Sequence, residues 1–371
     1  MKNMYSKTPM FVFNREAYNI NLSYLKNAFK QRMDGFKVGY SFKTNPHPLV
    51  LKAALENGMY AEVVSPYEYS KAIEAGFTPN RIIYNGVCKD MTQAYFCSAS
   101  GGIVNVDSTV ELVELDKHSS GELNIGVRLS FEVGKSPISR FGIPIQSKDF
   151  EALLDIDRHN SRVHIRGLSC HLTHARSADE WRLRANIMAN AARQFKDVKY
   201  IDLGGNMYSP MDCGYSANFP GHVSFDEYAA AICPELADFD GDLILETGTP
   251  LIANAVDLRC NVTAIKKNKD KTFIVVDASS YDIGIVCRHT HLTYDVEHNQ
   301  YSWNSSFAEI EDDSKATVVG YTCIEDDVIC TDFKAPVSVG DTIVFHNVGA
   351  YSVSFASDFI MPKIGLVERK D

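Results

Sequence analysis

Short apolar runs alternate with amphipathic segments over residues 20–250 of this 371-residue chain. Apolar residues at three- and four-residue spacing predict helices at residues 48–57, 66–75, 109–119 and 178–195. Eight apolar runs predict strands at residues 37–42, 61–64, 81–85, 103–106, 124–129, 165–170, 200–203 and 243–246. Strands and helices that alternate in this number predict a (β/α)8 TIM barrel, and an open doubly wound sheet is the alternative.

The pattern changes after residue 250, where helical segments become rare. Strands are predicted at residues 262–265, 272–277, 317–322 and 342–346, and residues 9–13 form a further apolar run near the start of the chain. We therefore expect an α/β protein of two domains. The barrel covers residues 20–250, and a C-terminal β-sandwich or β-barrel covers residues 251–371 and takes in the N-terminal strand with residues 1–19.

Charge and cysteine usage exclude several classes of protein. The net charge of -10 argues against a nucleic-acid surface. We expect neither a signal peptide nor a transmembrane helix, because no apolar stretch is long enough. The nine cysteines are scattered and include no Cys-x-x-Cys pair, which favours reduced thiols in the cytoplasm over disulfides or a zinc site.

Residues able to do chemistry follow several predicted strands. Lys43, His171, the pair Gly204 and Gly205, and Glu246 each lie at or just after the end of a strand. Each has an ordinary structural interpretation when taken alone, as a solvated lysine, a structural histidine, a turn or a cap. Loops at the carboxyl ends of barrel strands build the active site, however, so these residues are expected to converge there.

These residue types suit pyridoxal 5'-phosphate (PLP). Burial lowers the pKa of a lysine, and the neutral amine condenses with an aldehyde, which is the role predicted for Lys43. Glycine amides approach a phosphate closely. A flat ring accepts His171 against its face, and a carboxylate such as Glu246 keeps a pyridine nitrogen protonated, which makes the ring an electron sink.

Nine segments also match the motifs of a known family, in the family's order. Residues 40–45, Tyr-Ser-Phe-Lys-Thr-Asn, match the lysine motif Tyr-Ala-x-Lys-Ala-Asn. The other eight are residues 61–68, with Glu62 in place of the usual Asp, and residues 139–143, 167–171, 202–205, 246–249, 276–278, 320–327 and 349–351. The chain thus resembles the fold-type III PLP-dependent decarboxylases, which include the diaminopimelate, ornithine and arginine decarboxylases.

The resemblance implies an alanine-racemase-like barrel, a decarboxylase of an amino acid or amino-acid derivative, and a role for each matched residue. Lys43 holds PLP as a Schiff base, His171 stacks on the ring, and Glu246 binds the pyridine nitrogen. The phosphate is held by Gly204, Gly205, Gly248 and Tyr351. The family forms head-to-tail homodimers with shared sites, so Cys323 enters from the partner subunit and protonates the carbanion left by carbon dioxide. Arg140, Asp282, Glu325 and Asp327 are the candidates for substrate contacts.

Several positions depart from the family pattern. Thr249 replaces an arginine that helps to bind phosphate, and Thr173 and His174 replace Gly and Ser in a His-x-Gly-Ser motif. Ile324 follows Cys323 where many members have an acidic residue, and the only nearby candidate for the arginine that binds a distal carboxylate is Arg288. We therefore expect a larger or modified amino acid rather than diaminopimelate, lysine or ornithine.

Three other functions remain open. The first is an amino-acid racemase of the same fold, for which Tyr281 is a loose candidate as second base, although Glu246 argues against it. The second is a PLP-binding protein without catalysis. The third is a metalloprotein that uses His289, His291 and His298, because His-x-His in a strand places both rings on one face. No metal is expected from the main interpretation.

Overall fold

The computed structural model describes residues 7–134, 138–207, 223–284, 292–299 and 315–370. The strands in these ranges are β1 (Met10–Phe13), β2 (Phe36–Ser41), β3 (Tyr60–Val63), β4 (Ile82–Tyr84), β5 (Ile103–Val106), β6 (Leu123–Ser130), β7 (Ile143–Pro144), β8 (Val163–Ser169), β9 (Tyr200–Asp202), β10 (Asp242–Thr247), β11 (Val256–Asn268), β12 (Lys271–Val276), β13 (Tyr294–Glu297), β14 (Ala316–Val319), β15 (Val328–Phe333), β16 (Thr342–Phe345) and β17 (Leu366–Glu368).

Helices follow most of the strands in the first two thirds of the chain. They are α1 (Arg15–Lys30), α2 (Pro48–Glu56), α3 (Pro66–Glu74), α4 (Met91–Ala99), α5 (Thr109–His118), α6 (Lys148–His159), α7 (Ala178–Ala192), α8 (Phe225–Ile232), α9 (Thr249–Ile252) and α10 (Ser352–Phe355). Serine side chains cap the N-termini of five of them, at positions 65, 108, 147, 177 and 224, by accepting a backbone N–H bond three residues on. Such caps fix where each helix begins after its loop.

Eight parallel strands close into a barrel. Their order is β5-β4-β3-β2-β10-β9-β8-β6, and pairing between β5 and β6 completes the ring. The eight strands predicted from the sequence are these strands, displaced by no more than two residues at either end. The barrel is therefore confirmed, and the open doubly wound alternative is wrong because an open sheet has no β5–β6 pairing.

The short strand β7 pairs with the end of β6, and the other strands form one curled, mixed sheet. The long strand β11 connects it, since its first half pairs with β1 and β16 and its second half with β12. The sheet continues through β14 and β15 on one side and β13 on the other, and β17 lies parallel to β1. The N-terminal strand thus pairs within the second sheet, as the fold prediction requires.

The second domain contacts the barrel at the turn that carries Lys43. The backbone N–H of Tyr351 and the hydroxyl of Ser354 both donate to the carbonyl of Thr44, at 2.7 and 3.1 Å. The Asn45 amide returns a bond to the carbonyl of Gly349 at 3.0 Å. The segment at residues 349–354 is thereby fixed against the end of β2.

The lower barrel interior is apolar and is filled by a small cluster of Ile83, Tyr200 and Ile244. The Tyr200 ring occupies space that side chains on β6 and β8 would need, because a Cβ added at Gly126 or Gly167 would overlap it. Glycine at these two positions is therefore what admits a tyrosine to the barrel axis. Among the described residues, no helix has both the length and the apolar character needed to cross a membrane.

Replacing Gly167 by alanine is expected to lower the free energy of unfolding by about 1–3 kcal/mol, because the new methyl group overlaps the buried Tyr200 ring. Chemical denaturation measures the loss. The control is Gly365→Ala, since no atom lies within 4 Å of a Cβ at that position. Equal stability of the two variants would contradict this packing.

Candidate active site

A cavity of about 340 Å³ opens at the carboxyl ends of the barrel strands. The predicted residues Lys43, His171 and Glu246 line it together. The other lining residues come from the ends of β3, β4, β6 and β8 and the loops that follow them, and they are Glu62, Val64, Asn85, Gly86, Val87, Arg128, Phe141, Ser169, Cys170 and Thr173. Chemistry-bearing side chains from separate parts of the sequence therefore converge on one pocket, as expected of a barrel enzyme.

Lys43 lies in the short 3₁₀ turn Phe42–Thr44 directly after β2. Its Nζ donates to Glu62 Oε2 at 2.8 Å, and 34% of the side chain is accessible from the cavity. Burial alone would lower the pKa of Lys43, but the carboxylates of Glu62 and Glu246 outweigh it and raise the pKa. The expectation of a lowered pKa is therefore wrong for this structure, because the sequence did not reveal the two carboxylates beside the amine.

Glu246 belongs to a group of buried carboxyls that also includes Asp202 and Glu62. Burial and the Glu62 charge raise the pKa of Glu246 to about 7. Burial and Glu246 itself raise the pKa of Asp202 well above its usual range. Asp202 Oδ1 accepts the N–H of Gly204 at 2.8 Å, whereas its buried Oδ2 has no hydrogen-bond partner among the described residues, which favours the protonated form of this carboxyl.

His171 follows β8 and is neutral. Burial, with the positive charges of Lys43 and Arg128, lowers its pKa well below the usual value. Its Nδ1 faces the N–H of Gly205 at 3.3 Å and therefore accepts, which leaves the hydrogen on Nε2. A neutral imidazole with its tautomer fixed in this way presents a flat face to the cavity.

The glycines predicted to bind phosphate stand where side chains do not fit. Gly204 has a φ of +69°, and a Cβ there would overlap the Cys170 carbonyl. A Cβ at Gly205 would overlap the Glu246 carbonyl, and one at Gly248 would overlap the Thr44 side chain. These three glycines lie on two loops, after β9 and after β10, and the backbone packs this closely there because none of the three positions carries a side chain.

A buried arginine that the sequence did not single out supports these loops. Arg184 on α7 donates to the carbonyls of Leu203 and Gly205 on one loop, at 3.0 and 3.3 Å, and to those of Leu172 and Ala175 on the His171 loop, at 3.2 and 3.0 Å. Its guanidinium is completely buried, and burial lowers its pKa to about 10. A positive charge therefore lies directly behind the glycine turn.

Tyr351 adopts a left-handed conformation, with φ of 63°. Such a conformation is costly for an aromatic residue and persists only where the surroundings enforce it. Here the enforcing contact is the bond from its N–H to Thr44, one residue after the lysine. Tyr351 also lies close enough to Lys43 to contribute to the raised pKa of the amine.

The loop that carries Cys323 lies apart from the cavity formed by its own chain. Cys323 and Glu325 are exposed, and neither lines the cavity. Asp327 is buried, and its two oxygens accept bonds from Ser279, Ser280 and Thr322, five in all. These bonds occupy the Asp327 carboxylate, which supports a role in shaping the loop rather than the predicted contact with substrate.

The remaining predicted residues take different positions. Asp282 is buried, accepts the N–H of Ser279 at 2.8 Å, and has a pKa raised by burial to about 6. Arg140 is exposed and stacks on Phe141 at 3.9 Å, while Arg128 packs on the same ring at 4.6 Å. Of these two arginines the cavity is lined by Arg128, which the sequence did not indicate.

The metal hypothesis receives no support from the part of the chain that can be inspected. His289, His291 and also Arg288 lie outside the described residues. His298 bonds Asp341 Oδ2 at 2.9 Å. The described ranges contain no group of three or more residues able to hold a metal ion.

The family described as pyridoxal-dependent decarboxylase, pyridoxal binding domain, matches residues 21–253. The chain belongs to the pyridoxal-dependent decarboxylase family. It is 27% identical over 377 residues to a probable chloroplastic diaminopimelate decarboxylase of Oryza sativa subsp. japonica, covering 95% of this chain and 73% of the relative. It is 28% identical to the diaminopimelate decarboxylase of Archaeoglobus fulgidus, covering 95% and 85%.

Solved structures show the same fold for members of this decarboxylase family. The diaminopimelate decarboxylase of Helicobacter pylori, complexed with L-lysine, superposes with a TM-score of 0.82 at 22% identity, covering 98% of this chain and 92% of that one. The arginine decarboxylase of Paramecium bursaria Chlorella virus, bound to agmatine, gives 0.79 at 17% identity, covering 98% and 97%. The protein is a PLP-dependent carboxy-lyase, and its cofactor is PLP.

The described residues fit this cofactor. The pocket offers an amine for an aldehyde, a neutral flat ring, and a carboxylate whose raised pKa favours a cationic partner. Beside it lie Gly204, Gly205 and Gly248, whose backbone packs against neighbouring residues with no space for a Cβ. Sequence reasoning missed Asn85, Asp202, Arg128 and Arg184, although Asn85 and Asp202 stand at the ends of predicted strands, which was the signal available.

Replacing Glu62 by glutamine is expected to lower the pKa of Lys43 by about 1–3 units, because it removes the carboxylate paired with the amine. The measurement is the pH dependence of amine labelling at Lys43 in cofactor-free protein, read by mass spectrometry. Glu111→Gln is the control, since Glu111 pairs with Lys89 instead. Unchanged labelling in Glu62→Gln would show that the ion pair does not set the pKa.

Proposed function

We propose that the cavity at Lys43 binds PLP and decarboxylates an amino acid or amino-acid derivative. The observation that carries the proposal is the convergence of Lys43, His171 and Glu246 on one pocket beside the glycine turn. When bound, PLP supplies an electron sink for the electron pair that remains after carbon dioxide leaves. The residues of the chain bind, orient and move protons around it.

Each residue of the cavity has a defined task in this proposal. Lys43 would hold the cofactor, since its amine is a group on the cavity wall that can bind an aldehyde. Neutral His171 packs against the ring face. Glu246, with one oxygen held by Asn85, would accept a hydrogen bond from a protonated ring nitrogen and so favour a positive charge there. A positive charge at this point favours the ionised form of Glu246, whose pKa burial otherwise raises.

The phosphate is held without the arginine that Thr249 replaces. Backbone amides of Gly204, Gly205 and Gly248 and the hydroxyl of Tyr351 are the proposed donors. Arg184 compensates part of the charge from behind, because its guanidinium bonds the carbonyls of the glycine turn. Polarised amides and a nearby buried cation both favour an anion.

We propose a homodimer in which Cys323 serves the cavity of the partner subunit as proton donor. The exposed position of Cys323 outside its own cavity supports this arrangement. Exposed apolar side chains close to the site also support it, since Val87 lines the cavity while Phe355 and Phe359 follow Tyr351 in the chain. The Asp327 bonds then hold the donor loop in shape.

We propose that the substrate enters between Arg128, Phe141 and Thr173, which line the cavity. Arg140 at the edge of this opening and Glu325 on the Cys323 loop remain the proposed contacts for the distal end of the substrate. Asp282, close behind Tyr351 in the second domain, is proposed to act with them. The cytoplasm is the proposed location, because the seven cysteines in the described ranges are free thiols.

Replacing Lys43 by alanine is expected to abolish the visible absorption of bound cofactor and to lower carbon dioxide release by more than roughly 10³-fold. The assay uses purified protein and an amino-acid panel that contains meso-diaminopimelate, lysine, ornithine, arginine and modified derivatives. The control is Lys37→Ala, on the same strand, where the lysine pairs with Asp242 at the opposite end of the barrel. Racemisation without carbon dioxide release would contradict the proposed reaction.

Mixing subunits tests the shared site. Lys43→Ala and Cys323→Ala proteins are each expected to be nearly inactive, whereas their mixture after subunit exchange recovers about a quarter of wild-type activity, because half of the dimers contain one site with both residues intact. A mixture that stays inactive, although size analysis shows heterodimers, would contradict donation of Cys323 by the partner.

A further inference from the structure

Polar side chains from three strands form a connected column inside the barrel, beneath the cavity. Tyr200 begins β9, Asn105 lies within β5, and Asn85 directly follows β4. Tyr200 and Asn105 are buried, and Ile83 and Ile244 pack around the tyrosine ring. A polar group in such a place is costly unless it is hydrogen-bonded, so the bonds within the column decide whether it is tolerated.

The bonds of the column all run in one direction. Tyr200 Oη donates to Asn105 Oδ1 at 2.7 Å, and Asn105 Nδ2 donates to Asn85 Oδ1 at 2.8 Å. Asn85 Nδ2 then donates to Glu62 Oε1 at 3.2 Å and also to Glu246 Oε1. The column therefore ends on the two carboxylates that face Lys43.

Chemistry fixes this direction without reference to how the amides were oriented. Glu62 is ionised beside Lys43, and an ionised carboxylate only accepts hydrogen bonds, so Asn85 must turn its NH₂ group towards it. Its oxygen then faces Asn105, which must donate in turn. The oxygen of Asn105 faces Tyr200, whose hydroxyl stays protonated because burial and the nearby carboxyls raise its pKa well above the usual range.

Two glycines on neighbouring strands leave the space that the column occupies. A Cβ at Gly126 would overlap both Asn105 Oδ1 and the Tyr200 hydroxyl, and one at Gly167 would overlap the Tyr200 ring. Two glycines on neighbouring strands thus accommodate one tyrosine and its hydrogen bond. An apolar side chain in place of Tyr200 would fill the barrel equally well. The need to fill space therefore does not explain why this side chain carries a hydroxyl group.

We propose that Asn85 is a positioning residue that clamps Glu62 and Glu246 with one amide, and that Tyr200 and Asn105 hold Asn85 in the donating orientation. The inference rests on the proposed function, because Glu246 is the partner proposed for the cofactor. The clamp keeps the two carboxylates in separate roles. Glu62 remains with Lys43, and Glu246 remains ionised and aimed at the cofactor.

Electrostatics explains why a clamp is needed. The charge of Glu62 raises the pKa of Glu246, whereas the bond from Asn85 lowers it. Without the amide, the two carboxylates repel and Glu246 takes up a proton at higher pH. The groups that face Glu246 from the surrounding strands and turns are Lys43, Glu62, Asp202, Cys170 and Tyr200.

The test measures the dissociation constant of PLP as a function of pH by equilibrium dialysis, which does not depend on turnover. Asn85→Leu is expected to weaken binding at pH 8 by about tenfold, as for loss of a bond to a charged group. The pH below which affinity declines is expected to rise by about one unit, because Glu246 loses a donor that favours its ionised form. An unchanged midpoint would overturn the proposal.

Asn21→Leu is the matched control. Asn21 on α1 is also a buried amide, but it donates to Leu251 on α9 and to Asn254 just after α9. Its loss is expected to lower the melting temperature and to leave the pH midpoint of PLP binding unchanged. A midpoint shift in Asn21→Leu equal to that in Asn85→Leu would attribute the effect to general loosening and overturn the proposal.

Tyr200→Phe keeps the ring in place and removes only the hydroxyl, so it tests the column even if Asn85→Leu folds poorly. It is expected to weaken PLP binding by about threefold, since one neutral hydrogen bond is lost. The double variant Asn85→Leu/Tyr200→Phe is expected to match Asn85→Leu, because Tyr200 acts through Asn85. If the two side chains acted independently, their losses of PLP affinity would add, and additive losses would overturn the proposal that Tyr200 acts through Asn85. Wild-type protein that binds no PLP would overturn the proposed function together with this inference.

Discussion

One amine and three carboxyl groups share the buried upper end of the barrel, and the rest of the site depends on how their charges are balanced. Each unpaired buried charge would cost several kcal/mol. The Lys43–Glu62 pair neutralises two charges, a proton on Asp202 removes a third, and the Asn85 amide shares its hydrogens between Glu62 and Glu246. Glu246 is the one carboxyl left to respond to a ligand. This balance accounts for the position of the lysine, the protonation state of Glu246 and the need for a polar column below them.

The second domain completes the same site from outside the barrel. The Thr44 carbonyl, one residue after the lysine, accepts from Tyr351 and Ser354, which belong to a segment more than 300 residues later. The left-handed conformation of Tyr351 is held by this contact. A change in the β-domain that moves this segment therefore moves the lysine turn and the tyrosine together. This coupling gives a physical reason for a barrel and a β-domain to occur in one chain.

The sequence alone was sufficient to predict features that depend on residues close together in the chain. Each barrel strand is a short apolar run, and Lys43, His171 and Glu246 follow such runs, so their convergence could be predicted from barrel geometry alone. Asn85 also ends such a run, but its role could not be predicted in this way, and Arg184 gave no such signal. The role of Asn85 depends on the register of strands that are distant in sequence, and Arg184 looks like a surface residue of an amphipathic helix until the loops above it are placed. The pKa of Lys43 was misjudged for the same reason, because burial was visible in the sequence and the facing carboxylates were not.

The balance of charges also links cofactor binding to stability. Glu246 has its pKa raised from 4.5 to about 7, so the folded state binds a proton more tightly than the unfolded chain does. The contribution of Glu246 to the free energy of unfolding is complete below pH 4.5, the pKa of this group in the unfolded chain. It is lost as the pH rises from there to about 7, and the total loss is roughly 3 kcal/mol. A ligand that brings a positive charge to Glu246 removes this penalty, because it favours the ionised form in the folded state alone. In the proposed function, the unfavourable ionisation of the buried Glu246 carboxyl is thereby converted into affinity for a protonated ring nitrogen of PLP.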